Sequence, residues 1–145
     1  MKNYLLVLTV AATPALGKCP AGQDITSAMD ELVAEAQAAE NDMAGRDVSS
    51  KMWQLWLQAP DEAAQSVLDR GMRARESYDY TTALDSFNTL VDYCPDYAEG
   101  YNQRAFIHFL TQDFESALVE LDKALTLSPR HVGALSGRAL TLMNL

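Results

Sequence analysis

Apolar side chains recur along most of this chain at spacings of three and four residues, the period that gathers them on one face of an α-helix. Ile25, Met29, Leu32, Val33 and Ala36 share such a face, and Val48, Met52, Leu55 and Trp56 form another. The pattern predicts a helical hairpin over residues 24–61 with its turn at Asn41 to Gly45. Only 7 Gly and 5 Pro are present, too few for disorder or for a many-stranded, turn-dense architecture. Helix is therefore the expectation throughout.

A period test on the rest of the chain shows more. Residues 64–97 laid over 98–131 set Gly71 on Ala105, Tyr80 on Phe114, Ala83 on Ala117, Phe87 on Leu121 and Pro95 on Pro129, each pair 34 apart. The same step carries Arg70 and Arg104 onto Arg138, and Ala105 onto Ala139. A period of this length with small, aromatic and proline positions in register marks a stacked helix hairpin. The small residues let two helices approach closely, and Tyr80, Phe114, Phe87 and Leu121 fill the space between hairpins, at about 1.5–3 kcal/mol each if buried. Pro95 and Pro129 end one unit and open the next, since proline cannot continue a helix but tolerates its first turn. Asp79 and Asp113 stand where second helices begin, as N-caps.

These positions resemble the tetratricopeptide repeat family over residues 64–145. The resemblance implies an all-α fold, an α-solenoid of antiparallel helix hairpins with no sheet. Its units are 64–97, 98–131 and, at 132–145, the first helix of an incomplete third repeat. Residues 24–61 then form a diverged hairpin that caps the array, with Trp53 and Trp56 expected to pack it onto the first full unit. Some positions depart from the family pattern. Val67 stands where a large aromatic is usual, Tyr78 and Gln112 occupy turn positions where glycine is frequent, and Leu90 replaces a small residue. In the third unit Leu135, Ala139, Leu140, Leu142, Met143 and Leu145 form an apolar flank without a second helix to cover it. The expectation is a longer natural chain, with cover by a partner as the other reading.

In this family the first helices line a concave groove that holds a segment of another protein. Carried over by register, the groove positions are Leu68, Met72 and Arg75, then Asn102, Phe106 and Phe109, then Ser136, Leu140 and Met143. Asn102 and Arg75 are the polar groups suited to a peptide backbone or carboxylate. The clamp used by chaperone-binding members is missing, because Phe106 stands at its asparagine position. The resemblance thus implies a non-enzymatic scaffold binding a protein or peptide. A small-ligand or lipid carrier using the same apolar concavity is the alternative, and a further helix folding back into the groove would make its floor core instead. Arg70, Arg104 and Arg138 form a ladder read as structural.

The first residues carry an export signature: Lys2, an apolar run from Tyr4 to Ala12, and the small-x-small site Ala15-Leu16-Gly17. Residues 1–17 are read as a cleaved signal peptide and 18–23 as a linker, which places the protein in the periplasm or outside the cell. An uncleaved signal anchoring it to a membrane is the alternative, although the apolar run is short for a span of roughly 30 Å. The formal net charge of −9 sets nucleic acid and anionic lipid surfaces against it as partners. Catalytic signals are absent: His108 and His131 have no ligand at metal spacing, and there is no phosphate loop or nucleophile elbow. No cofactor is expected. Cys19 and Cys94, the two cysteines, could pair in an oxidising compartment or remain free.

Overall fold

The computed structural model of the protein describes residues 17–145. The signal-peptide reading, except for Gly17, lies outside the described residues. Seven helices follow in order: α1 (Thr26–Gln37), α2 (Asp42–Trp56), α3 (Glu62–Glu76), α4 (Tyr80–Tyr93), α5 (Ala98–Leu110), α6 (Phe114–Leu127) and α7 (Val132–Leu142). No strand occurs among the described residues, so the architecture is all-α.

The helix ends follow from short polar residues at the right places. Asp61, Asp79 and Asp113 accept the backbone N–H of Ala64, Thr82 and Ser116 at 2.8, 3.0 and 3.2 Å, so each caps a helix N-terminus. Helices α3 and α5 close in one manner. Tyr78 (φ 61°) and Gln112 (φ 64°) take the left-handed conformation, which turns the N–H of Asp79 onto the Ala74 carbonyl and that of Asp113 onto the His108 carbonyl, both at 2.9 Å. The repeat therefore extends to its turn geometry. Asn41 caps α2 through Ala44 N–H, so the α1–α2 turn lies before Asn41 and Gly45 is helical, earlier than the sequence pattern suggests.

Between α3 and α4 the core holds Ala64, Leu68, Ala83, Phe87, Leu90 and Cys94, with Ile107 joining from α5. Ala105, Leu121, Ala124 and Ala134 continue it between α5, α6 and α7. Phe87 and Leu121 are buried as expected, whereas Tyr80 and Phe114 are only half-buried, because each sits on the first turn of its second helix. Gly71 is required by its neighbour. A Cβ there would lie 2.5 Å from Cε1 of the fully buried Phe87, whereas the equivalent Ala105 faces the smaller Leu121.

The arginine ladder ties hairpins together. Arg104 donates from Nε and a terminal nitrogen to the Glu120 carboxylate at 2.9 and 2.7 Å, and from its other terminal nitrogen to Asn88 Oδ1 at 3.0 Å. It thus joins the second helix of its own unit to that of the preceding one. Arg138 repeats the backward contact on Asp122 at 2.7 Å, and Arg70 the forward one on Ser86 at 3.0 Å.

Helices α1 and α2 form the expected hairpin, but they do not extend the stack. Met29, Val48, Met52 and Trp56 make a separate small core with Ile25, Leu32, Val33, Trp53 and Leu55 around it. The aromatic contacts of Trp53 and Trp56 fall on His131, beyond the first full unit onto which the two were expected to pack. Trp56 lies flat on His131, ring centroids 4.1 Å apart, and Trp53 meets the same imidazole edge-on at 5.9 Å. The physical reason is room at the start of the third unit, where Gly133 has no side chain and a Cβ would come within 2.6 Å of the Trp53 ring.

Candidate functional site

The hairpin's position gives the concave side its shape. A cleft of about 500 Å³ lies between Ser49, Met52, Trp53 and Trp56 of α2 and the first helices α3, α5 and α7 of the three units. Of the nine positions carried over by register, Met72, Arg75, Asn102, Phe106, Phe109, Ser136 and Leu140 line it. Leu68 does not; it is fully buried in the α3–α4 core, because the α3 face it occupies turns toward α4. Met143, at the C-terminal end of α7, is 82% exposed and outside the cleft.

The two polar groups singled out in the groove already have partners. Arg75 donates to Gln103 Oε1 and holds its guanidinium 5.4 Å from the centre of the Phe106 ring. Asn102 donates to Glu99 Oε2 at 3.2 Å. Both belong to a buried network under the tryptophans of α2. Glu99, 1% exposed, accepts from Asn102, from Gln103 Nε2 and from His131 at 2.7 Å. His131, 0% exposed, takes the Ala134 N–H on Nδ1 at 3.2 Å and so caps α7. With Nδ1 accepting, the proton of the neutral ring sits on Nε2 and is donated to Glu99. Every buried side-chain N and O among the described residues has a hydrogen-bond partner, so this network orders the cleft wall.

Tyr97 stands one repeat before His131 in register and also holds α2. Its hydroxyl donates to the Trp56 carbonyl at 2.6 Å, and burial, followed by the charges of Glu99 and Asp69, pushes that hydroxyl far above the usual phenol range. It is a fixed donor. Sequence reasoning missed Gln103, Trp53 and Trp56, which line the cleft, and Glu99, His131 and Tyr97, which support its wall from beneath. The available signal was the register pair Tyr97 and His131, two large polar rings where first helices begin. His108, by contrast, is a packed histidine with Nδ1 3.3 Å from Asp113 Oδ2.

The open half of the cleft is apolar. Phe106 is 43% and Leu140 52% exposed, and Phe109 packs edge-on against Phe114 at 5.5 Å. Beyond it Leu135, Leu142, Met143 and Leu145 are also exposed, as is Ala139, so the outer flank of α7 is uncovered in the structure. Cys19 and Cys94 lie in a disulfide with Cα atoms 5.2 Å apart, which fastens the segment before α1 to the end of α4. A larger hollow of about 1030 Å³ around that disulfide is walled mainly by turn residues, including Pro20, Pro60, Pro95 and Pro129. Among the described residues no group of three or more His, Cys, Asp or Glu is placed to hold a metal, and no helix is long and apolar enough to cross a membrane.

No family model matches the chain, and no solved structure matches it. Curated relatives do. A TPR repeat-containing protein of Rhizobium etli is 25% identical over 116 residues, covering 80% of this chain and 57% of the relative. The tetratricopeptide repeat protein 36 homolog of Nematostella vectensis is 41% identical over 70 residues, 48% of this chain and 38% of the relative. Tetratricopeptide repeat protein 36 of Mus musculus is 39% identical over 74 residues, 51% of this chain and 40% of the relative. The matches thus span little more than half of the first relative and about two-fifths of the others. The 34-residue register, the paired hairpins and the repeated turn geometry agree with these likenesses, and together they support the resemblance to tetratricopeptide-repeat proteins.

Proposed function

We propose that this protein is a non-enzymatic interaction scaffold that binds a segment of another protein in the cleft between α2 and the first helices of its repeats. The observation that carries this is the exposed apolar floor formed by Phe106, Phe109 and Leu140, bordered by the cation of Arg75 and backed by a fully satisfied polar network. Such a surface gives an amphipathic segment area to bury and a rim to orient it. The relatives' names, as repeat proteins of this family, support the same reading. The acidic net charge of −9 favours a partner segment with basic residues flanking its apolar ones. The cleft's volume also falls in the range of small-molecule sites, roughly 300–1,000 Å³, which keeps a small-ligand carrier as the second reading.

The proposed location is the periplasm or the exterior, supported by the leader-like N-terminus and by the placement of Cys19 and Cys94 within bonding distance. Cell fractionation with thiol alkylation tests this: the account expects an exported protein without free thiols, and a cytoplasmic pool with two alkylated cysteines would contradict it. For the interaction itself, the immobilised chain should retain one defined protein from an envelope extract, and Phe106→Glu should lose it while keeping its helical circular dichroism. Equal recovery by the variant would count against the cleft. A small molecule retained in native mass spectrometry, with no protein captured, would favour the carrier.

A further inference from the structure

We infer that α2 is the groove's built-in ligand: a displaceable helix of this chain seated where an outside helix would dock. Three observations carry this. First, α2 does not stack as the second helix of a repeat. It meets the N-terminal ends of α5 and α7: its Trp56 backbone carbonyl accepts from the Tyr97 hydroxyl at 2.6 Å, the Trp56 ring stacks on His131, and Trp53 lies over Gly133. Second, the hairpin carries its own core of Met29, Val48, Met52 and Trp56, so α1 and α2 can leave the groove together without opening the α3–α4 core. Its remaining ties are the Arg130–Asp30 ion pair, about half exposed on each side, the disulfide from Cys19 to Cys94, and the packing of Leu57 and Ala59, just after α2, on the edge of the α3–α4 core. Third, the seat is filled unevenly. It is tight at the tryptophan end and hollow beyond, where about 500 Å³ remains against Phe106, Phe109 and Leu140.

The seated helix also describes its competitor. Trp53 and Trp56 lie one turn apart beside Met52, so the surface fits an amphipathic helix presenting two aromatic residues at i and i+3. The aromatic faces meet a flat imidazole and a backbone left bare by Gly133, and neither accepts a branched aliphatic equally well. Displacing α2 would uncover Glu99, Gln103 and His131, and the groove's apparent affinity for a partner would be reduced by the fraction of time α2 is seated. The disulfide keeps the displaced hairpin near its seat and so maintains a high effective concentration.

The test uses the full chain and a fluorescein-labelled peptide of residues 42–57. Fluorescence anisotropy should show the peptide binding the Trp53→Ala/Trp56→Ala variant, whose seat is empty, at least tenfold more tightly than the wild type, whose seat is taken. Adding Gly133→Ala to the double variant should weaken peptide binding at least tenfold, because the new methyl occupies the Trp53 position. Equal binding to wild type and double variant, or no binding to a double variant that remains helical and melts cooperatively, would overturn the inference. Should the double variant not fold, hydrogen exchange of the wild type decides: α1 and α2 amides exchanging at least tenfold faster than those of α4 and α6 support displacement, and uniform protection refutes it. No outside partner enters these measurements, so their failure is distinguishable from failure of the proposed interaction.

Discussion

His131 and Glu99 share a hydrogen bond of 2.7 Å in the interior, at 0% and 1% exposure, and through it the N-cap of α7 is bound to the first turn of α5. The imidazole does three things at once. It caps α7, satisfies Glu99 and carries the stacked ring of Trp56. Replacing it by alanine removes all three, for an expected loss of about 2–4 kcal/mol, most of it from the hydrogen bond lost to the buried carboxyl, which keeps only Asn102 and Gln103 as donors, and from the lost cap. His131→Asn should recover about 1 kcal/mol, because asparagine is a good cap but too short to reach Glu99. Urea unfolding of both variants measures this, and equal losses would show that the cap contributes nothing.

The Gly71 position tests the packing between α3 and α4. In an open helix Gly→Ala gains about 1 kcal/mol, but here the methyl would meet the Phe87 ring at 2.5 Å. Gly71→Ala should therefore destabilise, by about 1–3 kcal/mol, and Gly71→Ala/Phe87→Leu should be less destabilised than the sum of the two single changes. The second unit already holds that combination in Ala105 and Leu121. A thermal-melt double-mutant cycle without coupling would contradict the contact.

Tyr78 and Gln112 adopt left-handed backbone, with φ of 61° and 64°, a conformation that costs a non-glycine residue about 1–2 kcal/mol. Tyr78→Gly and Gln112→Gly should each stabilise the protein by about 1 kcal/mol, read as a raised denaturation midpoint with an unchanged m-value. The gain should be visible for Tyr78 too, since its side chain is 79% exposed and little packing is lost.

The capping carboxylates give the pH dependence a sign. The backbone N–H of Ala64 and the Tyr93 hydroxyl hold Asp61 below the usual carboxylate range, and hydrogen bonds from Thr82 and from Ser116 do the same for Asp79 and Asp113. A pKa lower in the folded state means that the unfolded chain binds more protons in acid. The caps' contribution is thus complete above the unfolded carboxyl value, about 4, and declines as the pH falls through the lowered folded values. Asn at all three positions would retain the caps and flatten the acid limb of a stability-against-pH curve. An unchanged limb would assign the acid sensitivity elsewhere.

Much of this could be read from the chain because it is local or periodic. Asp79, Asp113, Ala83, Ala117, Gly71 and Phe87 act within a hairpin, and the 34-residue register repeats them. The groove was read in part, since Met72, Phe106, Phe109 and Leu140 depend only on which face of a first helix they occupy. Leu68 was misplaced because one helical position separates groove from core. The seat of α2 was not legible for a different reason. Trp53 and Trp56 could pack on any apolar neighbour, and what selects the third unit is the shape of two distant residues, a missing side chain at Gly133 and a flat ring at His131.

The seat of α2 on the second and third units can be read directly from nuclear Overhauser contacts. Both tryptophans of the chain lie on α2, so their indole signals can be assigned without ambiguity. The account predicts contacts from the Trp53 ring to the α-protons of Gly133 and from the Trp56 ring to the His131 imidazole protons, and Gly133→Ala should abolish the first. Contacts from both indoles to α3, with none to residues 131–133, would contradict it.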